Sequence, residues 1–563
     1  MGSIQFSEIE QAAPEMDQLR DQYSRFREEL QAAQDEATAV EVMNRWDALR
    51  REHGCWISLT HLRFHQDTAN AEYKQAREHC DQLTPQLTEL DISIKRLLVN
   101  HPLRDKIESR IGAQAFALWE AEIPTYEPII EEDMVKQSTL SARYIELLAA
   151  ASLELRGETL NLSGIAKYAE SPDRELRHEA QLVRCSWFEE NQDQLDEIFD
   201  NLVSLRHGMA RKLGFDNYVE LGYLLMQRVD YGQDDVARYR QSVKELVTPL
   251  GVELRKWQAA ELGIDKVMAW DLAVFFPEGN PLPEGDHDWM IGQAKEMFDE
   301  MGGGLDSFFH LLSDGGFMDL KTREGKAGGG FCTSFETVGM PFIYANFNGT
   351  RGDVEVFTHE MGHAFQCYMS REQPWVDYLW PTYESCEIHS MGLEFLTWPH
   401  MEKFFGERAE QFRQIHLAGA LLFLPYGVAV DHFQHLVYAQ PNASAAERHA
   451  IWQELEREYL PWMDWGDLPH GSNGGRWQSQ RHIYLSPFYY IDYTLAQTCA
   501  LQFWLRARQD SQQAMDDYVA LCRRGGEAPF GELASSAGLV SPFQEGCLRD
   551  VIQQARQALP VSV

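Results

Sequence analysis

The chain is short of basic charge. It carries 50 Lys and Arg against 87 Asp and Glu, a formal net charge of -37 over 563 residues. A surface of that sign repels phosphate backbones and anionic headgroups, so neither nucleic acid nor a membrane is expected as a partner. The nine cysteines form no C-x-x-C pair and are odd in number, which excludes a disulfide framework and fits a reducing cytoplasm. The opening residues Met1 to Glu8 have neither a basic nor an apolar region, so a secretory signal is not expected. The longest apolar run, residues 417–430, is interrupted by Gly419, Pro425 and Gly427 and is not expected to span a membrane. No internal repeat is present. Without a secretion signal, the tripeptides Arg351-Gly352-Asp353 and Asn348-Gly349-Thr350 carry no adhesion or glycosylation role.

What is present is helix-forming sequence. Residues 15–52, 56–99, 102–121, 131–155 and 172–262 are rich in Leu, Ala, Glu, Gln and Arg and predict long helices. Residues 276–286 and 302–330 read as loops, and 467–475, with three glycines, reads as a flexible turn able to order over a bound ligand. Two β-like runs, 328–335 and 340–349, predict a small sheet whose edge could pair with an extended peptide, with Phe342, Tyr344 and Ala345 as candidate substrate contacts.

The chemistry concentrates in His359-Glu360-Met361-Gly362-His363. Val354, Phe357, Met361, Phe365 and Tyr368 recur at helical spacing, with Asp353 as a candidate N-cap. Residues four apart share a helix face, so His359 and His363 can offer two imidazoles to one metal ion. Two such histidines in an apolar helix are costly without a partner, and a metal supplies one. Glu360 is placed to act as a base on water at that metal. A third histidine six residues on is excluded, because that position is Met369. A glutamate from a following helix is the other solution; Glu384, Glu387 and Glu394 lie at helical spacing in 383–394. A run of tyrosines follows His482, with Tyr489 and Tyr493 four apart, and their hydroxyls suit a developing oxyanion. His432 and His435 read as helix histidines with local partners rather than ligands, and Cys367 and Cys386 as buried, inert thiols.

The segments HEMGHAFQ and ESCEIHSMGLEFL resemble the thimet oligopeptidase and oligoendopeptidase F family of zinc peptidases, in its Pz-peptidase-like branch. The resemblance is strong over residues 330–394 and 425–493 and weak before 160. It implies a mainly α, ellipsoidal, zincin-type fold with a deep substrate channel and a small sheet beside the active site. It divides the chain into an N-terminal helical domain, 1–165, forming a channel wall, and a catalytic domain, 166–563. It selects Glu387 over Glu384 as the third ligand to one Zn2+ per chain, places Glu394 behind the ligands, and matches His482, Tyr489 and Tyr493 to the oxyanion. Oligoendopeptidase F usually has His before Pro where this chain has Met340, which bears on specificity.

The expected activity is hydrolysis of internal bonds in short, unfolded peptides. Two alternatives stay open: a zinc aminopeptidase, although Gly339-Met340-Pro341 lacks the glutamate of that class's G-x-M-E-N segment, and a non-catalytic helical scaffold.

Overall fold

A computed structural model describes residues 4–561, with residue 324 excepted. The chain is mainly α-helical and carries two small sheets.

The first three long helices are Met16–Ala32, Glu36–Gln66 and Ala71–Val99. The expected break near Gly54 does not occur. A Cβ on Gly54 would lie 3.2 Å from the Glu336 carboxylate, so this glycine admits a neighbour rather than ending the helix. The break comes instead at Asp67 to Asn70, where the Asn70 side chain accepts from the Glu72 and Tyr73 amides and caps the next helix. The helix expected over 102–121 divides into Arg104–Ile111 and Ala113–Glu122 at Gly112, whose φ of 105° suits glycine. A Cβ there would also lie 2.6 Å from the Tyr378 hydroxyl.

These helices enclose their own core. Tyr23, Trp46, Leu98, Phe116 and Trp119 pack together, and Trp375 and Tyr378 from far downstream complete it. A buried polar clasp reinforces the junction. Arg50 makes a two-pronged contact with Asp377 at 3.0 and 2.6 Å, and Trp119 Nε1 donates to the same carboxylate at 3.0 Å.

The helix expected to reach residue 155 ends at Ala149. Beyond it β1 (Leu153–Leu155) and β2 (Glu158–Leu160) pair antiparallel around Arg156 and Gly157, both at positive φ, the geometry of a tight hairpin turn. Residues 172–262 form four helices, of which Gln233–Leu262 is the longest. The stretch 302–330 is more ordered than its glycines suggest. It holds a helix, Leu305–Asp314, with Phe308, Phe309 and Leu312 buried, and then β3 (Met318–Lys321).

The second sheet adds β4 (Phe331–Phe335) and β5 (Met340–Phe347) in the order β3-β5-β4. β5 runs parallel to β3 and antiparallel to β4. β5 is therefore the central strand, and Phe342, Tyr344 and Ala345 are buried in the core. That placement corrects their expected role as substrate contacts, since their main chain is flanked by strands on both sides. The edge strands are β3 and β4.

The helical stretch Glu402–Ala439, which includes the helix Ala409–Ala439, is long and apolar enough to cross a membrane by length and composition, but its apolar part is mostly buried inside this fold. Its histidines have local partners: His432 Nδ1 lies 3.1 Å from the Tyr459 hydroxyl and His435 Nε2 3.1 Å from that of Tyr223. The stretch 467–475 is a compact corner rather than a loose turn. It contains the short helix Pro469–Ser472, and buried His470 pairs with Gln478 at 3.0 Å. Its Gly471 and Gly475 sit against the Trp465 and His470 rings, where a Cβ would collide.

Candidate active site

Three helices assemble the site. The motif helix is Arg351–Met369, the glutamate helix is Tyr383–Leu396, and the tyrosine helix is Tyr490–Gln509. The motif helix starts at Arg351 with Thr350 as its cap, one turn earlier than the sequence suggests. Asp353 instead anchors the helix to the sheet. Its carboxylate accepts from the amides of Asn348 and Gly349, at 3.0 and 2.6 Å, just past the end of β5.

Gly362, inside the motif, sets how closely the glutamate helix approaches. A Cβ there would lie 2.4 Å from the His389 carbonyl oxygen and 2.6 Å from Ser390 Cα. With glycine at that position, Glu387 reaches both histidines. Its Oε2 lies 3.3 Å from Nε2 of His359 and 3.4 Å from Nε2 of His363. Ser390 Oγ donates to the same oxygen at 2.9 Å, and the Tyr489 hydroxyl donates to Oε1 at 2.9 Å. Glu384 lies outside this cluster. It bonds Thr382 Oγ1 at 3.0 Å, and burial, with Asp492 nearby, pushes its carboxyl up to about 8.

Glu387 and the histidines are strongly coupled electrostatically. Burial opposes ionisation of Glu387, yet the His363 and His359 imidazoles hold its carboxyl well below the usual range. Burial likewise opposes charge on His359, and Glu387 and Glu394 overcome it. Two imidazole nitrogens converging on one carboxylate oxygen, all within 4.8 Å of one another, are a two-nitrogen, one-oxygen donor set suited to a divalent metal. Among the described residues this is the cluster that could hold one.

Behind His359 runs a second line of hydrogen bonds. Its Nδ1 lies 2.7 Å from Glu394 Oε1, and Glu394 Oε2 lies 2.6 Å from His416 Nε2. Trp398 Nε1 donates to His416 Nδ1 at 3.1 Å, so that imidazole offers its Nε2 proton to Glu394. Glu394 in turn orients the His359 ring so that its Nε2 faces Glu387.

Glu360 is buried on the same side, and its Oε2 has no hydrogen-bond partner. Burial raises its carboxyl above the ordinary value. It lines a cavity of about 350 Å³ with Gly330, Phe331 and Cys332 of the β4 edge, Trp380, Tyr383 and the three cluster residues. Trp380 is fixed there by its indole, which donates to Ser334 Oγ of β4 at 3.1 Å.

His482 stands on the short helix Arg481–Leu485, and Tyr489 caps the tyrosine helix. The rings of Tyr489 and Tyr493 are 4.9 Å apart, and His482 is 5.7 Å from each. The intervening turn depends on Phe488, a non-glycine residue at φ 68°. Its amide donates to Gln434 Oε1 at 2.9 Å, and its carbonyl accepts from Arg228 Nη2 at 2.5 Å. Arg228 also bonds Asp492 at 2.8 Å, with both side chains fully buried. A second cavity, of about 620 Å³, opens past His359 and Tyr493 and includes His482 and Tyr490 in its wall.

This geometry can be set beside known proteins. The profile of the Peptidase M3 N-terminal domain matches residues 6–126, and that of Peptidase family M3 matches residues 167–278 and 306–551. The chain belongs to peptidase family M3. It is a metallo-oligopeptidase with a zincin-type fold. The M3 chain superimposes on a structure of Pz peptidase A with an inhibitor at a TM-score of 0.94, with 43% identity over 98% of each chain. A candidate oligoendopeptidase F from Bacillus anthracis str. Ames matches at a TM-score of 0.90, with 40% identity over 99% of this chain and 98% of that one. Oligopeptidase A from Escherichia coli (strain K12) is 26% identical over 257 residues, which cover 35% of this chain and 37% of that protein. The match thus spans little more than a third of this curated relative.

Several residues that shape the M3 site carried no signal in the sequence. His416 and Trp398 are single polar positions on apolar or irregular segments, and Trp380 lies in an unremarkable loop. Arg228 sits more than 250 residues from its partners, Phe488 and Asp492. Gly362 alone could have been noticed, since a glycine inside a helix needs a reason.

Proposed function

We propose that this M3 peptidase is a zinc-dependent oligoendopeptidase that hydrolyses internal bonds of short, unfolded peptides. The observation that carries the reading is the convergence of His359 Nε2 and His363 Nε2 on one oxygen of Glu387, with unpartnered Glu360 facing the same cavity. His359, His363 and Glu387 are the ligands of one zinc ion per chain, and Glu394 orients His359. A zinc ion there supplies Lewis acidity, which polarises the scissile carbonyl and makes water a nucleophile at neutral pH. Glu360 takes the proton of the attacking water and returns it to the leaving amine. His482 and Tyr493 donate to the carbonyl oxygen as it gains negative charge. Tyr489, whose hydroxyl is given to Glu387, joins them by turning toward substrate or acts by holding the ligand. The β4 edge at Gly330 to Cys332 offers main-chain groups to an extended peptide.

Burial of Glu360 and Glu387 below the surface favours short peptides over folded proteins. We assign residues 1–165 to a helical domain that walls the channel and 166–563 to the catalytic domain; the core of residues 19–119 supports a distinct N-terminal unit, although Tyr144 and Leu148 pack into the main core. Nine unpaired cysteines support a cytoplasmic location. The acidic charge supports peptides, rather than nucleic acid or membranes, as partners. The test is digestion of a defined peptide mixture, including N-terminally acetylated members, followed by mass spectrometry. Internal cleavage of blocked and free peptides, abolished by chelator and restored by zinc, is expected. Cleavage confined to free amino termini would replace this reading with an aminopeptidase.

A further inference from the structure

The larger cavity holds more arginines than carboxylates, three against Glu355 and Glu394. Three arginines, Arg255, Arg351 and Arg476, stand in its wall, in a chain whose net charge is -37. Arg351 is already neutralised by Glu355 and by Glu170 at 3.4 Å. Arg476 is partly neutralised: its Nη1 lies 3.2 Å from Glu456, which also takes the Trp465 indole at 2.7 Å. The Arg476 guanidinium also lies 4.4 Å from the centre of the Tyr426 ring.

Arg255 differs from both. Its Nη1 bonds only neutral acceptors, Gln258 Oε1 at 2.6 Å and the Leu272 carbonyl at 3.1 Å, and its buried Nε has no partner. No ion pair holds it among the described residues. Burial disfavours its charge, and the like charge of Arg476 adds to that. Arginine keeps its proton in proteins, so the imbalance stands as an unmet demand for an anion. The remaining wall mixes apolar residues such as Phe275, Leu422 and Phe423 with two carboxylates that already have partners, Glu355 on Arg351 and Glu394 between His359 and His416.

We propose that Arg255, with Arg476 beside it, receives a carboxylate of the peptide substrate, so that the cavity past His359 reads substrate charge. The carboxylate is either the free C-terminus or an Asp or Glu side chain. A planar guanidinium fork suits either one, and substrate burial in the cavity makes the contact strong. The proposal rests on the oligopeptidase reading for its choice of ligand.

The experiment compares three versions of one cleavable peptide: the free acid, the C-terminal amide, and the amide carrying one Glu in place of a neutral residue. kcat/KM is measured with zinc-loaded wild type, Arg255→Gln, Arg255→Lys and Arg476→Gln. Wild type is expected to prefer a carboxylate-bearing peptide over the plain amide by about 10- to 100-fold. That ratio should fall toward one in Arg255→Gln and recover in part in Arg255→Lys. Preference for the free acid alone assigns the C-terminus, and recovery by the Glu peptide assigns a side chain. Equal rates for all three peptides in wild type would overturn the proposal. Should Arg255→Gln fail to fold, by its melting curve, the ratio in Arg476→Gln decides in its place. Calorimetric titration of Glu360→Gln with the same peptides separates the two readings. Discrimination in binding without hydrolysis by wild type would sink the oligopeptidase and leave the pocket standing.

Discussion

Glu394 holds His359 from behind: Oε1 of the carboxylate lies 2.7 Å from Nδ1 of the imidazole, on the side away from Glu387. The second oxygen of Glu394 is taken by His416 and, through it, by Trp398. The ring of His359 is thus fixed in tautomer and in tilt by residues on the side away from Glu387. Glu394→Gln keeps the shape but can present its amide NH2 toward His359, disturbing that tautomer. The expected result is a loss of metal affinity of about 10- to 100-fold, read by competition with a zinc indicator. Unchanged affinity would mean that the line from His359 to Trp398 serves packing alone.

Glu360 gives a different signature. It lies outside the proposed ligand set, so Glu360→Gln should bind zinc in the same amount as the wild type. Its hydrolysis should fall by about 10²- to 10⁴-fold, the usual size of a general base contribution. Elemental analysis and peptide turnover on the same sample check both halves. A variant that loses zinc together with activity would make Glu360 a structural residue.

The two tyrosines can be told apart by the same pair of measurements. The Tyr489 hydroxyl is bonded to Glu387, so Tyr489→Phe should weaken zinc binding as well as turnover. Tyr493 lines both cavities and, among the hydrogen bonds of the described residues, makes none to Glu387. Tyr493→Phe should keep zinc and lose about 10²- to 10³-fold in kcat, as removal of an oxyanion donor does. Equal zinc affinities in the two variants would remove the distinction drawn between them.

Gly362→Ala tests the closeness of the two ligand-bearing helices. The added methyl would lie 2.4 Å from the His389 carbonyl oxygen, backbone that has little freedom to move. Overpacking of this kind costs about 1–3 kcal/mol. The helices should separate, and zinc affinity should fall with thermal stability; a variant with native zinc affinity would show that the approach has slack.

The site was legible where local periodicity governs it. Spacing of four puts His359 and His363 on one face, and composition alone marks most of the long helices. What was hidden depends on contacts between distant segments. Gly54 and Gly112 look alike in sequence, yet one sits inside a helix against Glu336 and the other parts two helices beside Tyr378. Phe342, Tyr344 and Ala345 have the composition of a strand wherever it lies in a sheet, and only the β3-β5-β4 order shows that β5 is internal. Glycines in 467–475 suggested freedom, but Gly471 and Gly475 are there to let Trp465 and His470 pack. Between Glu384 and Glu387, helical spacing could not choose, because both fit one face; the approach permitted by Gly362 brings Glu387 to the histidines.

The junction between the N-terminal helices and the catalytic part makes a prediction in acid. Burial works against the charge of Asp377, but Arg50 prevails and holds its carboxyl down at about 2, against an ordinary 3.8. The folded protein therefore binds this proton more weakly than the unfolded chain does. The contribution to stability is full above pH 4, amounts to roughly 2 kcal/mol, and is lost as pH falls from 4 toward 2. Asp377→Asn removes that dependence and leaves Arg50 with Asp47 alone, 3.1 Å away. At pH 7 the variant should be less stable by about 3–5 kcal/mol, the cost of breaking a buried pair from one side. Urea unfolding followed by tryptophan emission measures the stability and includes this region, where Trp119 donates to Asp377 and the Trp46 ring lies 3.8 Å from the Arg50 guanidinium. The gap between wild type and variant should narrow as the measurement moves from pH 7 to pH 3. A gap that stays constant over that range would mean Asp377 anchors the junction by shape and hydrogen bonding, with its charge contributing nothing.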